Sequence, residues 1–89
     1  MTEFTATIHV RPKGEVRDPQ GEAVAGALRA LGFDVADVRT GKEIVVRFSA
    51  PDEAGAREAA RTMGDQLLAN PVIEDFTVEL GTAAEVSPK

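Results

Sequence analysis

Apolar residues in this chain are spaced by two, then by three to four, then by two again, and the cycle repeats. A chain with that rhythm folds as strands and helices packed in layers rather than as a bundle or an all-β barrel. In EFTATIHVR, Phe4, Ala6, Ile8 and Val10 alternate with Thr5, Thr7, His9 and Arg11, the pattern of a half-buried strand. PKGEVR follows as a loop. Asp18 is placed as an N-cap, and Pro19 falls at the first helical position, where its missing N–H costs nothing. Val24, Ala27, Leu28 and Leu31 then share one helical face, and Gly32 supplies a stop. Phe33 to Thr40 is expected as a second strand, with a bulge or bend because Val35 and Val38 have opposite parity. TGKE makes a tight turn, and Ile44, Val46 and Phe48 alternate with Val45 and Arg47 in a third strand.

Pro51 and Asp52 open the second helix, with Ala56, Ala59, Ala60, Met63 and Leu67 as its buried stripe and Asn70-Pro71 as its end. Glu53 with Arg57 and Arg61 with Asp65 are i, i+4 pairs on the wet side, worth about 0.2 to 0.5 kcal/mol each. Gly64, deep in that helix, either permits a close approach to the sheet or a neighbour, or is a tolerated small residue. DFTVEL reads as a fourth strand. The expected fold is therefore α+β: a two-layer β-α-β-β-α-β, ferredoxin-like antiparallel sheet with two helices on one face. A single domain over residues 1–80 is expected, with 81–89 as a flexible C-terminal tail.

Such a core is thin. Of 89 residues fourteen are Ala and ten Val, with four Phe and no Trp or Tyr, so little area is buried per residue. Small scaffolds of this kind are commonly stabilised by oligomerisation. Ten basic residues against fifteen acidic, a net charge of −5, argue against nucleic acid or an anionic membrane as partner. The absence of cysteine removes disulfides and thiolate metal sites. MTEFTATIHV lacks a basic, apolar leader pattern, and no run approaches the roughly 20 apolar residues of a membrane helix; a soluble, cytoplasmic protein is expected.

Catalytic, cofactor-binding and metal patterns are missing. The single His9 points to the helix-free sheet face, where a solvated or interface histidine is the simpler reading. Gly41-Lys42 is not a phosphate loop, because Ala36 stands where its first glycine belongs and Glu43 replaces the Ser or Thr. Ser49 has no base nearby in sequence. Arg39 and Lys42 could bind an anion or a partner's carboxylate, or could decorate a solvated hairpin tip. The helix-free face would present Thr5, Thr7, His9, Arg11, Val45, Arg47, Thr77 and Glu79, without the stacking aromatics of an RNA-binding sheet. An open face and free sheet edges point to assembly.

DPQGEAVAGALRALGF, VRTGKEI and LLANPVIEDFTVEL resemble, in order and spacing, the PurS family, the small subunit of phosphoribosylformylglycinamidine (FGAM) synthase. Asp18-Pro19-Gln20-Gly21, Arg39-x-Gly41-Lys42 and Asn70-Pro71-x-Ile73-Glu74 carry the resemblance together. It implies a non-catalytic subunit of an ATP- and glutamine-dependent ligase in purine biosynthesis, a homodimer or homotetramer bridging PurL and PurQ and supporting ammonia transfer between them. ATP and magnesium would belong to PurL, and none would be bound by this chain. It also implies Arg39, Gly41, Lys42, Asn70 and Pro71 as contact or shape-determining positions, with plain turn and cap geometry the alternative for Gly41, Asn70 and Pro71. Two other classes share the topology: an ACT-like module binding a small molecule at a dimer seam, and an acylphosphatase-like enzyme, for which RPKGEVRDPQG is a poor anion loop.

Overall fold

A computed structural model describes residues 1–82. Its sheet has three strands, β1 (Thr2–Pro12), β2 (Lys42–Ala50) and β3 (Glu74–Thr82), in the order β2-β1-β3 with both pairings antiparallel. Phe4 lies opposite Phe48, Ile8 opposite Ile44 and Val78, and Val10 opposite Phe76, so the expected alternation sets the register. Helix α2 (Glu53–Met63), capped by Asp52 through Gly55 N at 2.7 Å, lies over the face that carries Phe4, Ala6, Ile8 and Val10. One core cluster joins Phe4, Ala50 and Ala56 with Phe48 and Leu80; a second joins Ile8, Val10 and Ala69 with Ile44, Val46, Met63, Leu68, Phe76 and Val78.

The buried stripe of α2 departs from expectation after Met63. Ala56 and Ala60 are fully covered, but Gly64–Leu68 forms a π turn closed by Ala69 N donating to Gly64 O at 2.9 Å. The wider turn shifts the facing, so Leu68 packs in the core and Leu67, expected inside, is 81% exposed. Gly64 sits where a Cβ would fall 2.5 Å from the Phe76 ring, which settles its role as a close approach to the sheet. Glu53 and Arg57 pair at 3.1 Å. Arg61 and Asp65, expected to pair likewise, form no ion pair among the described residues, Asp65 having passed into the π turn.

Helix α1 (Pro19–Ala30) begins as the sequence indicates, with Asp18 accepting from Gly21 N and Pro19 in the first turn. It ends in a Schellman arrangement: Phe33 N donates to Leu28 O, Gly32 N donates to Arg29 O, and Gly32 takes φ 100°. The expected strand at 33–40 is absent, and this is a correction to the four-stranded pattern. Its backbone groups are taken by side chains of the preceding element instead. Arg29 donates to Val35 O and Ala36 O at 2.9 and 3.0 Å, and Asp18 accepts from Thr40 N at 2.6 Å. The segment therefore runs back along α1, and the two make a hairpin-like arm whose inner surface covers Gly21 and Ala25. No α1 residue enters either core cluster. The α+β class with an antiparallel sheet and two helices stands, in the order β-α-β-α-β. The final residues of the expected tail, 83–89, lie outside the described residues, while Gly81 and Thr82 continue β3.

A candidate assembly site at one end of the sheet

Because β1 is antiparallel to both neighbours, its C-terminal end meets the starts of β2 and β3, and α1 begins just beyond it. The three segments DPQG, RTGK and NPVIE, far apart in sequence, are thereby brought to one end of the sheet.

Asp18 joins the first two. Its carboxylate, in a residue only 6% exposed, accepts from Gly21 N at 2.9 Å, from Thr40 N, and from Thr40 Oγ1 at 2.9 and 3.0 Å. Those backbone hydrogen bonds from Thr40 and then Gly21 favour the charged form and hold its pKa below the usual 3.8. Gly21 must lack a side chain, because a Cβ there would run into Val38 O. Gly41 meets a similar limit, a Cβ falling 2.5 Å from Val10 O at the end of β1. The DPQG and TGK glycines thus allow backbone to lie on backbone where the arm leaves the sheet.

Arg39 donates through Nη2 to Lys13 O at 2.9 Å and to Val16 O at 2.7 Å, securing the loop between β1 and α1. Lys13, which sequence patterning passed over as loop, links the other group of segments. Its N–H donates to Ile73 O at 2.8 Å, and its Nζ lies 2.8 Å from Asp75 Oδ1, a hydrogen bond and ion pair that raise its pKa. Only its place between two apolar-patterned strands, with an acidic residue opening the last of them, could have signalled this. Arg17 and Glu22 form a neighbouring exposed pair at 3.0 Å, the Arg17 hydrogen bond lowering the Glu22 pKa.

Asn70 builds the turn into β3. Its Oδ1 accepts from Val72 N at 3.0 Å, its carbonyl accepts from Ile73 N and Glu74 N, and its N–H donates to Glu74 Oε1 at 2.7 Å. Pro71 sits exposed on that turn beside Lys13, Glu74 and Asp75. Lys42 opens β2, and its ammonium forms no ion pair among the described residues. With His9, Arg11, Glu43, Thr77 and Glu79 it lines an open depression at the end of the helix-free face. There His9 Nε2 lies 2.7 Å from Glu79 Oε1, and its Nδ1 lies 3.7 Å from Glu43 Oε2. Farther along that face Arg47 pairs with Glu3 at 3.0 Å, and Thr5 and Thr7 are buried between the flanking strands.

The structure therefore gathers all five expected positions at one end of the molecule and divides their work. Arg39, Gly41 and Asn70 shape the backbone, Pro71 stands on the surface of the turn, and Lys42 keeps a free charge. Among the described residues no group of three or more His, Asp or Glu could hold a metal ion, and no helix is long and apolar enough to cross a membrane.

A three-stranded antiparallel sheet backed by α2, with hydrogen-bonded loops and mixed charge gathered at one end, defines a small α+β domain. The chain belongs to the PurS family: the family model described as phosphoribosylformylglycinamidine (FGAM) synthase matches residues 5–82. The PurS subunit of Synechocystis is 49% identical over 83 residues, covering 92% of this chain and 82% of that one. PurS of Mycobacterium leprae is 43% identical over 74 residues, with 82% and 90% covered. Among solved structures, Thermus thermophilus PurS superposes with a TM-score of 0.81 at 42% identity, covering 89% and 95% of the two chains. A chain in the PurLQS structure of Thermotoga maritima gives 0.84 at 34% identity, covering 91% of this chain and all of that one.

Proposed function

We propose that this chain works as the PurS subunit of FGAM synthase, assembling with PurL and PurQ in the ligase that transfers ammonia from glutamine to formylglycinamide ribonucleotide in purine biosynthesis. The observation that carries this is the likeness over nearly the whole chain to a component of the Thermotoga PurLQS complex. In this role PurS contributes no reacting group. ATP and magnesium are held by PurL, glutamine is hydrolysed on PurQ, and PurS bridges the two so that ammonia passes without loss to water. The setting is cytoplasmic, and PurS acts as a homo-oligomer.

Within the bridge, Lys42 is the contact position, its ammonium forming no ion pair among the described residues. Arg39, Gly41, Asn70 and Pro71 hold the shape of the surface around it. An ACT-like regulatory role has no observation in its favour here.

Reconstitution tests this directly. FGAM formation from purified PurL and PurQ with ATP, magnesium and glutamine should rise when the chain is added. Supplying ammonium salt in place of glutamine should make turnover much less dependent on it. Equal glutamine-dependent turnover with and without the chain would refute the assignment.

A further inference from the structure

β3 pairs on one side only, with β1, and no strand lies along its other side among the described residues. Alternate N–H and C=O groups along its nine residues therefore point outward with no ladder to take them. The usual protections of such an edge are missing. EDFTVELGT holds neither Pro nor Lys, and it pairs with β1 residue for residue from Glu74 to Thr82, without a bulge. Beside this edge, α2 and the π turn that extends it leave an open groove of about 690 Å³. Phe76 and Val78, which pack on the Ile8 and Val10 cluster from the helix side of the sheet, are only half-buried there. Glu58, Arg61 and Asp65 line the helix wall and are exposed.

The charges along the groove are one-sided. Arg57 is held by Glu53 at 3.1 Å, and Lys13 by Asp75 at 2.8 Å. Arg61 is then set against Glu58 and Asp65, none of the three forming an ion pair among the described residues. β3 itself carries Glu74, Asp75 and Glu79 and no cation. A second copy of the chain is a poor occupant, because antiparallel self-pairing centred on Thr77 sets Asp75 of each copy opposite Glu79 of the other, and like charges directly opposite are destabilising. A foreign strand suits the edge if its side chains alternate, apolar toward α2 beside Phe76 and Val78, basic on the other face beside Glu79. Glu58 and Asp65 add to the attraction for such a segment.

We propose that the outer edge of β3 is a docking site for an extended segment of another protein, alternating apolar and basic residues, which joins the sheet as a further strand. Main-chain hydrogen bonds to β3 hold it, and the groove and its acidic residues select its side chains. The inference rests on the geometry and charge of the single chain and not on the proposed enzyme role.

The probe is a short blocked peptide alternating lysine and valine, with a control in which glutamate replaces lysine. Added to the wild-type chain, the lysine peptide should slow hydrogen exchange at the β3 amides that face away from β1 and leave those bonded to β1 unchanged. The glutamate peptide should protect neither set. Glu58→Lys combined with Asp65→Lys should weaken binding of the lysine peptide by about tenfold, the scale of two exposed ion pairs reversed. Should that variant fail to fold, added salt should erode the advantage of the lysine peptide on the wild-type chain instead. Outward β3 amides already protected in the chain alone would mean that a second copy holds the edge, and this overturns the inference. So does protection by both peptides alike, protection by neither, or an affinity that ignores both charge reversal and salt. No arm of the experiment contains PurL or PurQ, so its outcome is independent of the assignment to FGAM synthase.

Discussion

Asp18 carries more of the local structure than its cap position implies. An Asn in its place keeps one acceptor oxygen for Gly21 N but turns an amide donor toward the Thr40 N–H, so donor faces donor. Asp18→Asn should therefore lower the melting temperature at neutral pH. Because the folded chain depresses the Asp18 pKa, the stability it supplies is present above the usual 3.8 and drains away as pH falls through the lowered folded value. Glu22, lowered by Arg17 from its usual 4.5, acts in the same sense. The gap in melting temperature between wild type and Asp18→Asn should accordingly close on acidification below about pH 4; a gap that stays constant to pH 2 would mean the carboxylate charge is not what matters. Two glycines make a second residue-scale contrast. Gly26 has open space where a Cβ would go, so Gly26→Ala should stabilise by about 0.5 to 1 kcal/mol through helix propensity. Gly64→Ala drives a methyl into the Phe76 ring and should destabilise by about 1 to 3 kcal/mol, both read by urea denaturation.

Among the elements, the π turn at Gly64–Leu68 is what decides which leucine belongs to the core. Leu68→Ala should cost about 2 kcal/mol of unfolding free energy, while Leu67→Ala should stay within about 0.5 kcal/mol in the isolated chain. Equal costs would place the turn in α-helical register. Periodicity alone could not have found this, because a 3.6-residue repeat puts Leu67 in line with Ala56, Ala60 and Met63, and one extra residue in the turn depends on tertiary contact between Gly64 and Phe76. β1, both helix starts and the pairing faces of β2 and β3 were legible because alternation, an acidic N-cap and a Pro act locally. The 33–40 segment was legible in its composition and not in its partner: Arg29 and Asp18 compete for its backbone, a choice made by side chains from α1. Likewise the family resemblance singles out Arg39, Gly41 and Asn70, but not Lys13, whose carbonyl accepts from Arg39 and whose N–H donates to Ile73 O. A lysine in a loop has no pattern until the register of β3 places Asp75 beside it.

At the scale of the whole molecule, the end of the sheet where β1 stops and the other strands start does two things that substitution can separate. Arg39 belongs to the fold: its guanidinium holds Lys13 O and Val16 O, and removing it frees the loop from which α1 departs. Lys42 belongs to the surface: its ammonium makes no ion pair among the described residues, and changes at such positions alter stability by no more than about 0.5 kcal/mol. In a chain of net charge −5, that cation, with Arg11 in the same depression beside Glu43 and Glu79, offers a partner carboxylate a contact that the rest of the surface opposes. Arg39→Ala should thus lower the melting temperature and binding to PurL and PurQ together, whereas Lys42→Ala should leave melting unchanged and still weaken binding. The Lys42 contribution should also fade with added salt, since an exposed ion pair is screened within about 8 Å at physiological ionic strength. Titration of each variant into PurL and PurQ at low and high salt, with thermal melts alongside, measures both. If Lys42→Ala binds as wild type at every salt concentration, the partner reads the shape of this end and not its charge.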